Sequence, residues 1–181
     1  MAKVTDMTTG SPTRLLVGFA LPMLLGNMFQ QLYSMVDTIV VGRGVGVEAL
    51  ASVGAAGWLD WLVLGIIIGL TQGFAILISQ RFGAEDFHGL RKAVTMSALL
   101  SLVTIIVFTI TALSIARPLL ELLDTPAQTI DGAHLYISII YMGIPIIVTY
   151  NLLAAVLRAL GNSKTPLIAM VIASIINIVL D

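Results

Sequence analysis

The chain has 181 residues, nine Lys or Arg against ten Asp or Glu, two His and no Cys; 58% of it is hydrophobic and only 10% is charged. About a quarter of the residues in a soluble domain are charged, so a water-borne globular protein is excluded. The missing cysteines exclude disulfides and thiolate metal sites, and the net charge of −1 gives no reason to expect nucleic acid or another polyanion as partner.

Five stretches free of charged residues follow one another: Leu15–Val36, Trp61–Gln80, Ala93–Ala116, Leu135–Leu157 and Thr165–Leu180. A helix needs about 20 mostly apolar residues to cross roughly 30 Å of hydrocarbon, and backbone groups in lipid must bond within their own segment or in a closed barrel. These runs lack strict alternation and are too long for barrel strands. The expected fold is therefore an all-α, polytopic membrane protein. After a cytoplasmic segment at residues 1–13, the spans are placed at 14–42, 48–81, 90–116, 130–159 and 165–181, in one transmembrane bundle over 14–181.

The first span carries Pro22, where the missing N–H and the ring bend a helix unless neighbours repair the backbone. Lys3 and Arg14 resemble the basic start of a signal peptide, but the apolar run continues past Asn27 with no small-residue cleavage site, and four more spans follow, so the insertion is expected to be permanent. Gly42, Gly44 and Gly46 end this span. In span two, Ala49, Gly54, Ala55, Ala56, Gly57, Gly65, Gly69 and Gly73 are small enough for close helix contact. Arg81–Asp86 form the next turn. Asp124-Thr-Pro126 follows span three, with Leu119–Leu123 read as a short interfacial helix. Pro145 lies inside span four. Gly161–Pro166 closes it and opens span five.

Lys and Arg are retained on the cytoplasmic side during insertion. Seven of the nine, Lys3, Arg14, Arg81, Arg91, Lys92, Arg158 and Lys164, fall on one side by alternation, and Arg43 and Arg117 on the other. The amino terminus is therefore expected in the cytoplasm, with the protein in the cell's inner (cytoplasmic) membrane.

Three carboxylates lie within spans, Asp37, Asp60 and Asp181. A charge at mid-bilayer costs about 2.5–3.5 kcal/mol even on the lenient insertion scale, so such residues are candidates for function. At 100° per residue, Asn27, Gln30, Gln31, Ser34, Asp37 and Thr38 occupy about a third of helix one's circumference. A stripe of six polar groups belongs against protein or a watery cavity. Ser174, Asn177 and Asp181 likewise share one face of span five. Asp37 lies about 9 Å inside Arg43, and Asp181 about 22 Å beyond Pro166, which places both in the outer half of the bilayer. Two carboxylates with an amide one turn away can share a proton or offer oxygen ligands to a hard monovalent cation such as Na⁺. The alternative is that they are structural groups bonded across helices. Asp60, flanked by Trp58 and Trp61, also reads as a residue reaching external water.

His88 and His134 read as loop residues with no further ligands at metal spacing, so no metal site is expected beyond a possible Na⁺. Met23, Met28, Met35 and Met96 are apolar filler or adaptable contacts for greasy substrates. No H-E-x-x-H, G-x-S-x-G, P-loop or dinucleotide pattern occurs, so the chain is not expected to be an enzyme, nor to hold a cofactor.

Leu21–Arg43 with Glu48–Gly54, Ile78–Asp86 and Leu157–Pro166 closely resemble the first helix, second–third loop and fourth–fifth loop of the multidrug and toxic compound extrusion (MATE) transporters. The resemblance implies twelve helices in two six-helix lobes and export of varied, often cationic organic compounds in exchange for H⁺ or Na⁺. It also implies an amino-lobe cation site at the positions of Asp37, Asn177 and Asp181, and assigns Asp60 no role. The chain stops inside an apolar run, so it is expected to be an amino-terminal fragment, five helices of a six-helix lobe, whose partners are substrate, membrane lipid and the missing second lobe. Two other readings stand beside it. A flippase of lipid-linked sugars has related architecture but needs basic groups in its cavity, and no Lys or Arg lies well inside a span. A small five-helix membrane protein without transport activity is the other.

Overall fold

The structure, a computed structural model, describes residues 11–44 and 46–180; at Tyr33, Asp37, Val41, Val47, Glu48 and Ala49 it describes the helical backbone alone. Among the described residues there are helices and no strands. They are α1 (Pro12–Gly44), α2 (Val47–Gly83), α3 (Phe87–Leu122), α4 (Ile130–Met142), α5 (Ile144–Ala159) and α6 (Lys164–Leu180). The first three are each long and apolar enough to cross a membrane. α4 and α5 meet at a 46° bend and only taken together are long and apolar enough for a fourth, while α6 is a shorter apolar helix of 17 residues. Large apolar side chains such as Leu16, Leu24, Met28, Ile106, Ile110, Ile146 and Val179 stand exposed, as lipid-facing surfaces require.

Three of these helices stop in the same way. At the end of α5, Asn162 N donates to Leu157 O at 2.9 Å and Gly161 N to Arg158 O at 3.0 Å, with Gly161 at φ +80°. This Schellman pairing satisfies carbonyls that the helix leaves free. α2 ends with Asp86 N on Arg81 O and Glu85 N on Phe82 O, and α3 with Thr125 N on Leu120 O and Asp124 N on Glu121 O. The left-handed positions there are Glu85 (φ 55°) and Asp124 (φ 51°), where glycine would carry no steric cost.

α3 then begins on a side-chain cap. Asp86 Oδ1 accepts from Gly89 N at 2.8 Å, and Oδ2 accepts from Arg81 Nη1 at 3.0 Å. The Gly89 N–H, followed by the Arg81 guanidinium, holds the Asp86 carboxyl below the ordinary carboxylate range. A lowered carboxyl contributes stability above the unfolded value of 3.8 and loses it as pH falls through the folded one. Asp86→Ala is thus expected to lower Tm by a few degrees at neutral pH and to be indistinguishable from wild type once the medium is acid enough to protonate both states. Thermal unfolding followed by circular dichroism across pH checks this.

The chain divides into two compact units by contact, residues 1–39, 73–95 and 153–181 in one and residues 40–72 and 96–152 in the other. In the second unit Ala56, Leu59 and Ile67 of α2, Ala112, Ala116 and Leu120 of α3, Ala133, Ile137 and Tyr141 of α4, and Ile144 and Val148 of α5 form a buried cluster. Ser52 Oγ donates to Thr129 O at 3.3 Å, and a Cβ on Gly132 would lie 2.8 Å from that hydroxyl, so α2 and the start of α4 meet closely there. Arg117 ties α3 to itself through Glu121 and to α4 through Asp131, both at 3.2 Å, exposed pairs of small energetic weight.

Several expectations change on this evidence. Leu119–Leu122 continue α3 instead of forming an interfacial helix, since Ala116 and Leu120 are both fully buried and the Arg117–Glu121 pair spans Pro118. His88 falls in α3 and His134 in α4, not in loops. α1 runs through Pro22 as one helix. The helical path breaks at Gly143, two residues before Pro145, where the Gly143 N–H bonds back to Ile140 O and Tyr141 O. A Cβ on Gly54, Gly57, Gly65, Gly69 or Gly73 would touch nothing within 4 Å, so these small residues do not mark close helix contacts within the chain.

Candidate functional site

In the first unit, the close approach of α1 to α6 occurs at Gly26. This residue is buried, and a Cβ there would lie 3.3 Å from Met170 Sδ and 3.5 Å from Leu167 Cδ1. Leu167, Met170, Ser174 and Asn177 fall within about 80° on the helical wheel, so the edge of α6 that meets α1 is the edge carrying its polar groups. Ser174 is 3% exposed and donates its hydroxyl to Met170 O at 2.9 Å. Asn177 Oδ1 is buried and accepts no hydrogen bond among the described residues. A buried amide oxygen without a donor costs about 1–3 kcal/mol.

On α1, Asn27, Gln30, Gln31, Ser34 and Thr38 are exposed, and the Thr38 hydroxyl is spent on Ser34 O at 2.8 Å. The side chain of Asp37 and the whole of Asp181 lie outside the described residues. The contact at Gly26 brings the helices of Asn177 and the α1 stripe together. Asp60 lies in the second unit, half-buried on α2. No group of three or more His, Cys, Asp or Glu suited to a metal occurs among the described residues.

Sequence reasoning did not single out Gly26. Its signal was a lone glycine in an apolar run, a feature shared with several glycines of span two that touch nothing.

An all-helical bundle with membrane-length apolar helices defines an integral membrane protein. The MatE family model matches residues 22–181, and the chain belongs to that family. It is 33% identical over 178 residues to the probable multidrug resistance protein YpnP of Bacillus subtilis, an alignment covering 98% of this chain and 40% of that protein. Among solved structures it is similar to a MOP superfamily transporter from Pyrococcus furiosus, described as having a binding pocket of reverse polarity that suggests a different function. There the TM-score is 0.90 at 31% identity, over 98% of this chain and 40% of the other. An outward-facing multidrug resistance MATE family transporter gives a TM-score of 0.88 at 32% identity, over 99% of this chain and 40% of the other. The chain thus spans about two-fifths of the length of these relatives.

Proposed function

We propose that the protein carrying this chain exports organic compounds across the cytoplasmic membrane in exchange for H⁺ or Na⁺, with Asp37, Asn177 and Asp181 as the coupling site and the amino terminus in the cytoplasm. One observation carries this reading: Asn177 Oδ1, buried and without a hydrogen-bond partner among the described residues, on the edge of α6 that packs against α1. Short connections reverse each span relative to the last, so α1 and α6 run in the same direction. From the level of Gly26, Asp37 lies eleven residues on, about 16 Å, which falls within one turn of the level of Asn177 on α6. Eleven residues is also close to three full turns, so Asp37 shares the helix face of Gly26. Carboxylate and amide oxygens carried by two adjoining helices suit a proton or a hard monovalent cation, whose arrival neutralises charge that lipid disfavours.

Drug export is favoured over a sugar-lipid flippase because no Lys or Arg stands deep in a span to meet a pyrophosphate. The test is expression of the full coding frame containing these residues in an efflux-deficient bacterium, with uptake of lipophilic cationic dyes as the readout. Dye content is expected to fall several-fold and to recover when the proton or sodium gradient is collapsed. Equal dye content with and without the gene sinks the proposal.

A further inference from the structure

The coupling site leaves unused the positive charge gathered at one end of the first unit. Arg14, Arg81, Arg91, Lys92, Arg158 and Lys164 stand where α1, α3 and α6 begin and α2 and α5 finish, against two carboxylates among the described residues there, Glu85 and Asp86. Asp86 is engaged by Arg81 and by the Gly89 N–H, so the cap of α3 answers one of these cations. Arg91 and Lys92 are exposed and make no hydrogen bond or ion pair among the described residues. Helix geometry sets both on the outside of α3. Phe87, His88, Arg91, Lys92 and Thr95 fall within about 140° of the helical wheel and are all exposed, while Gly89 and Leu90 on the remaining side are half-buried and Ala93 is 6% exposed. The uncharged run Ala93–Ala116 starts at the next residue and is about 36 Å long at 1.5 Å per residue, slightly more than the roughly 30 Å of hydrocarbon. Arg91 and Lys92 therefore stand at the hydrocarbon boundary, level with the phosphates of the lipid headgroups.

We propose that Arg91 and Lys92 form a docking surface for the phosphate of an anionic phospholipid, in the leaflet that this end of the first unit enters. Charge complementarity selects the lipid: a zwitterionic headgroup brings an ammonium group of its own to the two cations, whereas an anionic one brings net negative charge alone. A soluble phosphate ester carries similar charge but is not held at that depth. The acyl chains of a lipid keep its phosphate at the level of Arg91 and Lys92, which raises its effective concentration there. The surface is independent of the ion and substrate carried, so it stands apart from the export reading.

The experiment is native mass spectrometry of the protein expressed from the full coding frame and purified in detergent, mixed with equal amounts of phosphatidylglycerol and phosphatidylcholine bearing the same palmitoyl and oleoyl chains. Wild-type protein is expected to retain phosphatidylglycerol at least tenfold in preference, since each cation beside a headgroup is worth about fivefold. Arg91→Gln with Lys92→Gln should cut that preference at least fivefold and leave phosphatidylcholine binding unchanged, which also shows the variant to be folded. Arg91→Lys with Lys92→Arg, which keeps both charges, should retain the wild-type preference. Glycerol 1-phosphate in hundredfold excess should displace little of the bound lipid. Equal retention of the two lipids by the wild type overturns the proposal, as does a double glutamine variant that keeps the wild-type preference or a charge-keeping variant that loses it. Displacement by glycerol 1-phosphate marks a site for soluble phosphate esters and overturns it too. Failure of dye export in cells with this lipid preference intact strikes the export reading alone.

Discussion

Asp37→Asn is expected to abolish gradient-driven efflux while the protein is still inserted at wild-type abundance. The substitution keeps the shape of the side chain and its capacity for hydrogen bonds but removes the carboxylate proposed to exchange a proton or ligate a cation with full negative charge. If Asp37 and Asn177 sit at one level on facing edges of α1 and α6, the amide leaves the ion no reason to prefer one transporter state over another. An effector shifts an equilibrium only through its different affinities for the two states. Couplings of this kind amount to about 1–3 kcal/mol, so roughly 5- to 150-fold in the ion's effect on substrate affinity should disappear. Asp37→Glu keeps a titratable carboxyl one methylene longer and should retain part of the coupling. The measurement is dye efflux from proteoliposomes under an imposed pH or sodium gradient. An Asp37→Asn protein that still accelerates with the gradient removes Asp37 from the mechanism.

The all-helical membrane fold was legible in the sequence because lipid leaves little choice: uncharged runs of membrane length must be helices, and the turn residues between them mark where each one ends. Gly161 was readable as a helix end for the same reason, since its φ of +80° is open to glycine at no steric cost. Glu85 and Asp124 do the same work at the ends of α2 and α3 without the compositional sign, and Leu119–Leu122 continued α3 because Leu120 is buried on the same face as Ala116. Polar stripes were legible from periodicity alone, so Ser174 and Asn177 stood out together. Which helix they face was not. That depends on one glycine out of sixteen, and a sequence gives no distance between a glycine and the side chains of a helix 140 residues away. The approach of α2 to the start of α4 at Ser52 and Gly132 was hidden likewise, because it is a property of the packed bundle.

The second large effect is expected at that glycine. Gly26→Leu should stop gradient-driven efflux although residue 26 carries no chemistry. A Cβ alone would already lie 3.3 Å from Met170 Sδ, a contact that the flexible thioether can relieve by a small shift, so Gly26→Ala is expected to behave nearly as wild type. The three further carbons of leucine have nowhere to go except between α1 and α6. Overpacking of this kind costs about 1–3 kcal/mol and is met by moving the helices apart. Separation at Gly26 would carry the α1 stripe away from Asn177 and so pull apart the two helices of the proposed coupling site. Shortening the opposing side chain provides the control: Gly26→Leu with Met170→Ala removes the collision while leaving every polar group in place, and should recover a large part of the efflux lost in the single variant. Neighbouring residues that act through one contact give such non-additive double mutants, whereas independent sites do not. Proteoliposome efflux for the two single variants and the double variant, with size-exclusion profiles to show each is folded, decides the matter. Wild-type efflux from Gly26→Leu, or no recovery on adding Met170→Ala, would mean that the approach of α1 to α6 does not hold the coupling site together.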